Sequence, residues 1–172
     1  MSLNNEAAAA TWRWCANFVV PLVLCPWAAA SVHTKGALQI YLAKRKDMIE
    51  AIEEAAFLLR NDVEANLVDP DVAIAFVMSP CDWDFVEFHE WFEELEESFD
   101  NDFVTLAPFH PEWQFGGGPV EHFLELDFEK QSPHPTVTIV CTSVIDRAGA
   151  EAMDRMANHN ERVLLDMGVY VL

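Results

Sequence analysis

Apolar residues fall along the chain in short blocks whose period changes from one block to the next. Trp14, Phe18 and Leu22 recur at helical spacing, so residues 11–24 read as a buried helix. Residues 37–43, Ala-Leu-Gln-Ile-Tyr-Leu-Ala, read as a strand. Asp47 then opens a helix, with Glu50 three residues on in a capping-box pattern and an apolar stripe of Ile49, Ile52, Ala56 and Leu59. Residues 72–78, Val-Ala-Ile-Ala-Phe-Val-Met, are apolar without a break, as in a central strand covered on both faces. A further helix is predicted over 83–98. Phe85, Phe88, Phe92 and Leu95 line one side of it with Trp91 beside them, and glutamates cover the rest. That aromatic stripe reads as core packing, not as a cofactor site. Strands follow at 103–109 and 136–142, then a long helix over 146–167 with Gly168 as its C-cap.

The resulting order contains two successive strand–helix–strand units. It predicts an α/β fold with a single layer of about four strands, mixed or largely parallel, and helices packed on it, in a ferredoxin-like or small sandwich arrangement. The chain of 172 residues suits one domain. Residues 11–172 form it, and residues 1–10 are expected to be a flexible lead-in. The long connection from 110 to 135 carries Trp, Phe, Pro and a Gly triplet, so it is expected to be ordered and packed.

Charge sharpens this picture. The formal net charge is -19, from 10 basic and 29 acidic residues. Between Arg60 and Lys130 there is no Lys or Arg, while 19 of the 29 acidic residues fall there. The rest of the chain is therefore neutral. Such a surface repels a phosphate backbone and an anionic membrane, so no nucleic-acid partner is expected. It suits solubility or a protein partner with a basic surface.

Cys15, Cys25, Cys81 and Cys141 form no Cys-x-x-Cys pair, which gives a zinc knuckle no support. The opening residues carry Glu6 and no basic residue, unlike a secretory or transit segment. Residues 15–32 are apolar but short for a bilayer and broken by Pro21 and Pro26, so no membrane span is expected. An intracellular setting, cytoplasm or organellar matrix, follows as the expectation.

Two segments offer chemistry. In Leu24-Cys25-Pro26-Trp27-Ala28, Pro26 suits the first position of a helix and would make Cys25 its N-cap. A thiol there is activated by the helix dipole; the alternative is a buried structural thiol. In Phe109-His110-Pro111-Glu112-Trp113-Gln114-Phe115, an imidazole, a carboxylate and an amide follow the end of a strand. The alternative is an aromatic loop closing over the core, with His110 bonded to backbone. His122 and His134 add nitrogen ligands at a spacing that matches no compact metal motif, and the glycines lack a P-loop pattern. No metal and no cofactor are expected.

These segments resemble the domain-of-unknown-function family 1415, over about Thr11 to Gly168. The Cys25 segment is similar to that family's Leu-Cys-Pro-Phe-Ala, the His110 segment to its Phe-His-Pro-Asp-Tyr-Gln-Phe, and Ser132-Pro133-His134-Pro135 to its Ser-Pro-Tyr-Pro. Asn160 falls on a family Asn. The resemblance implies arginines where this chain has Gln39, Gln131, Cys141 and His159, and a histidine near Thr138. Recurring arginines imply an anion clamp in the family, which this chain has largely lost.

Two functional expectations follow. The first is a non-catalytic accessory or interaction protein derived from a ligand-binding family. The second is a thiol-dependent hydrolase or transferase, with Cys25 as nucleophile, His110 as base and Glu112, Gln114 or Asn160 as the orienting group. In either case Cys25-Pro26, His110 to Phe115 and Ser132 to Pro135 are expected to meet at one pocket. Gln39, Gln131 and Cys141 are expected to face it.

Overall fold

The computed structural model describes residues 3–113, 127 and 129–167, with side chains from Glu6 onward. The first helix, α1, covers Leu3–Trp14 and passes into a π-helical turn at Cys15–Val19. A short helix α2 spans Ala28–His33. Strand β1, Leu38–Leu42, leads through the single turn Arg45–Asp47 into α3, Met48–Glu64. Strand β2 is Ile74–Met78, α4 is Phe85–Ser98, β3 is Val104–Phe109 and β4 is Thr136–Cys141. A final helix, α5, runs Thr142–Asp166.

The strands form one mixed sheet in the order β1-β2-β4-β3. β1 pairs parallel with β2, and β4 is antiparallel to both β2 and β3. β1, β2 and β3 therefore all point the same way, and β4 is inserted against them. All five residues of β2 are buried, as its unbroken apolar run predicts. Alternation sends Ala75 and Val77 to one face, where they pack with Ile52 and Leu59 of α3 and Phe88, Phe92 and Leu95 of α4. Ile74 and Phe76 go to the other face, against Cys15, Val19, Leu24, Ala28 and Leu164. Helices thus cover both faces. Of the two arrangements expected, the chain adopts the sandwich.

Three stretches differ from expectation. Residues 3–10 are helical, and Ala7 is buried, so the lead-in is part of the fold. The helix expected over 11–24 gives way at Cys15. The missing Pro21 N–H removes a backbone bond, and Val23 then takes a positive φ of 56°, reversing the chain before Leu24. The last helix begins at Thr142, four residues earlier than its pattern suggests, because Gly149 at φ 74° lets two helical stretches join across a kink. Val144, before the kink, packs in the cluster under α3 and α4, and Leu164, beyond it, packs on the opposite face. The expected cap at Gly168 lies outside the described residues.

Asp47 is the N-cap of α3 but bonds none of its first-turn N–H groups, so the capping box is not formed. Asp84 does cap α4, accepting from the N–H groups of Val86 and Glu87. Replacing Asp84 by Ala should cost about 1 kcal/mol in urea unfolding, whereas Asp47→Ala should cost under about 0.5 kcal/mol, because only the first loses a cap.

Candidate functional site

β3 ends at Phe109, so the alternation of the strand throws His110 to the α4 side of the sheet. Its ring is only 2% exposed and lies 5.3 Å from the Phe88 ring and 5.5 Å from that of Phe85. Both nitrogens are engaged by backbone. Nδ1 accepts the Glu112 N–H at 3.1 Å, and Nε2 stands 2.7 Å from the Trp83 carbonyl oxygen. An N–H can only donate, so the ring proton sits on Nε2 and is given to Trp83. Glu112 contributes its backbone here, and its side chain is exposed.

Cys25 packs on the other face of the sheet, beside Leu24 and Ala28. The sheet lies between it and His110, and no nitrogen of His110 is left to meet a thiol. The expected nucleophile–base pair is therefore not formed. Nor is Cys25 a helix N-cap: α2 starts at Ala28, with Trp27 in that position. Burial pushes the Cys25 thiol above its ordinary value, and the N–H groups of Trp27 and Ala28 offset this only in part. The environment is that of a structural thiol.

The other candidate residues are spent in the same way. Ser132 donates to the His134 carbonyl at 2.6 Å, and Thr136 donates to the same oxygen at 2.7 Å, which closes the Ser-Pro-His-Pro turn. Burial lowers the His134 pKa. Asn160, fully buried, donates to the Leu24 carbonyl at 3.0 Å and to the Glu129 carboxylate at 2.8 Å. His159 meets the Leu22 carbonyl at 3.1 Å. Gln131 donates to the Trp113 carbonyl at 3.4 Å, and the Lys130 carbonyl accepts the His110 N–H at 3.1 Å. Lys130 lies 5.3 Å above the Phe109 ring and 5.1 Å above that of Trp113, and burial lowers its pKa. A chain of contacts thus ties the Leu24 turn to Asn160, Asn160 to the 129–131 segment, and that segment to His110. The backbones of the motif segments join through these contacts. Gln114 and His122 lie outside the described residues.

Gln39 and Cys141 stand at the opposite edge of the sheet. Gln39 is in register with Ala75 near the start of β2, and Cys141 with Val104 at the start of β3. His110 and Ser132 adjoin the far ends of those strands. Gln39 donates to Asp62 at 2.8 Å and accepts from Tyr41, and Cys141 is enclosed in the apolar cluster. The register of Gln39 and Cys141 puts them at the end of the sheet away from Gln131, so, against expectation, the three do not face one pocket.

A cavity that the sequence did not announce lies where the parallel strands β1 and β2 end. It has a volume of about 490 Å³ and is lined by residues 42–45, by Asp47, Glu50 and Glu54, and by Ser79, Pro80 and Cys81. No motif marks these short segments, and only the carboxyl-edge position of both loops could have pointed to them. Among the described residues, no cluster of three or more His, Cys, Asp or Glu side chains could hold a metal ion.

This geometry defines an α/β sandwich whose motif residues fasten its own loops. The chain belongs to the family described as protein of unknown function (DUF1415), whose model matches residues 6–171. No curated protein and no solved structure matches it.

Replacing His110 by Ala would leave the Trp83 carbonyl and the Glu112 N–H unsatisfied beside a new cavity. The protein should lose about 3–5 kcal/mol of stability in urea unfolding. A second outcome concerns pH. Burial, with Cys25 nearby, pushes the Cys15 thiol from 9.0 up to about 12; burial, with Asp71 nearby, pushes Cys141 up to about 11. The folded state favours the protonated thiols. Their contribution is whole below pH 9, the unfolded value, and is lost as pH rises through the folded values near 11 and 12. Unfolding titrations should show stability falling above that lower limit, and falling less steeply in a Cys15→Ala/Cys141→Ala variant.

Proposed function

We propose that this protein is a non-catalytic interaction component whose α3–α4 face receives a basic, partly apolar segment of another protein. The observation that carries the reading is where the charge falls. α3 carries Glu50, Glu53, Glu54, Asp62 and Glu64 against Arg60 alone. α4 carries Glu87, Glu90, Glu93, Glu94, Glu96 and Glu97 with no Lys or Arg. Both helices pack on the same face of the sheet. The two helices together bring 11 of the chain's 29 acidic residues to this side of the sheet.

That surface is not uniformly polar. Ile49 is 47% and Phe57 62% exposed, and both line a groove of about 330 Å³ that also contains Glu53, Leu95, Phe99 and Asp100, with Arg60, held by Glu64, at its side. Exposed apolar side chains set among carboxylates match a segment that presents apolar residues flanked by Lys or Arg. The engagement of His110 and Ser132 with backbone supports the non-catalytic part of the reading. All four cysteines are free, which supports a reducing, intracellular compartment. No helix among the described residues is long and apolar enough to cross a membrane.

Co-purification from native cells, comparing the wild type with a Glu53→Lys/Phe57→Ser variant, tests the proposal. A stoichiometric partner recovered at about 0.1 M salt should be lost at about 0.5 M salt, since charge pairs at the rim are screened. The double variant should recover at least about tenfold less of it. A strictly solitary monomer, or a partner that binds the variant equally well, would count against it.

A further inference from the structure

We infer, on the docking reading above, that the segment received by the α3–α4 face is bipolar. Beyond its basic, apolar part it carries a pair of acidic side chains, which seat in a second groove at one end of that face. The two grooves share a wall. Ile49 lines the groove that holds Glu53, Phe57 and Asp100, and it also lines a groove of about 490 Å³ formed with the turn before α3. Lys44, Arg45 and Lys46, three of the chain's 10 basic residues, line this second groove with Trp83 and Trp91, and no carboxylate does.

The second groove suits an anion. Arg45 is bonded to Glu87 at 2.8 Å and lies 4.7 Å over the Trp83 ring, with its side chain half exposed. Lys46 reaches Asp47 only at 3.9 Å, and Lys44 makes no ion pair among the described residues. Trp83 is 3% exposed and is fixed between the rings of Phe88, at 5.2 Å, and Trp91, at 4.9 Å. Its indole N–H has no hydrogen-bond partner. A buried polar group left unpaired is uncommon, and an indole N–H only donates, so the missing partner is an acceptor. A carboxylate that draws Arg45 outward from the ring reaches this donor, while Lys44 and Lys46 balance its charge through charge-assisted bonds.

Spacing lets one segment fill both grooves. Ile49 and Phe57 lie about 12 Å apart along α3. About four residues of extended chain cover that distance, so a segment of about eight reaches both grooves. Its apolar residues and flanking cations lie against Ile49, Phe57 and Glu53, and its acidic pair lies against Lys44 and Lys46. A segment that is basic throughout brings cations onto those lysines and is repelled there. The basic groove thus sets the register of the partner and rejects segments that lack the acidic end.

The test is calorimetric titration of the whole protein with synthetic peptides of about eight residues, acetylated and amidated at their ends. Each carries Leu and Phe between lysines. One continues into an Asp pair and the other into an Asn pair, and both are made in either order along the peptide. In at least one order the Asp peptide should bind about tenfold or more tighter than the Asn peptide, although its net positive charge is lower. Lys44→Met/Lys46→Met should remove that preference without weakening the Asn peptide. Trp83→Phe, which keeps a ring and removes the N–H, should reduce the preference, with urea unfolding of the variant to check that it folds. Equal binding of the two peptides, a preference that survives in the double lysine variant, or the same gain from a free C-terminal carboxylate on the Asn peptide overturns the inference and leaves the docking reading standing. If neither peptide binds, or both bind the Glu53→Lys/Phe57→Ser variant as well as the wild type, the docking reading falls and this inference with it.

Discussion

The fold depends on burying β2 from both sides. Five apolar residues in sequence leave no face for solvent, so the chain must supply one helical layer for Ala75 and Val77 and another for Ile74 and Phe76. The first layer comes from the two crossovers. β1 to β2 and β2 to β3 advance in the same direction across the sheet, and crossovers of one hand then place their helices on one side. The second layer is assembled from less regular pieces: the end of α1, the π-helical turn, α2 and the far half of α5. This division of labour explains where the charge goes. α3 and α4 are consecutive helices and carry 11 of the 29 acidic residues, so topology gathers part of the compositional bias onto one face.

Much of this was legible in the order of residues. The run at 72–78, the aromatic stripe of α4 and the alternation before His110 each reflect a period imposed by burial, and burial is what packing enforces. The first helix was misread for a local reason. Trp14, Phe18 and Leu22 keep a helical period through a stretch where Pro21 and the positive φ of Val23 have already turned the chain. Gly149 hid a kink in the same way: periodicity persists on both sides of a backbone break that only a glycine admits without strain.

The candidate site is hard to read from sequence for a deeper reason. His, Asn and Ser beside Pro look like chemistry, but the same residues are what a buried loop needs to satisfy backbone groups that no strand or helix can reach. His110 answers a carbonyl from residue 83 and an N–H from residue 112; Asn160 answers a carbonyl left by the turn at Leu24. A sequence shows the polar side chain without showing the orphaned backbone group opposite. Conversely, the cavity at the ends of β1 and β2 is lined by common surface residues from three separate stretches, which have no joint signature until the strands are paired.

The acidic face also shapes the energetics of the free protein. On α4, Glu90 stands at helical contact spacing from Glu87, Glu93 and Glu94, and Glu97 from Glu93 and Glu94. Like charges so placed destabilise a helix by about 0.2–0.5 kcal/mol per pair at low salt. Glu94, Glu96 and Glu97 in addition meet the negative end of the helix dipole, where carboxylates are disfavoured. Local propensity alone would not hold this helix. It is held by Phe88, Phe92 and Leu95, all buried, with Asp84 capping its start. Each large apolar side chain removed from water contributes about 1.5–3 kcal/mol, enough to outweigh several repulsive pairs. Arg45 relieves the repulsion at Glu87 and Arg60 relieves it at Glu64, and the rest persists in the folded state. On the proposed reading, a cationic segment settling there would gain attraction and remove that repulsion together, so the carboxylates that weaken the isolated helix would strengthen its hold on that segment.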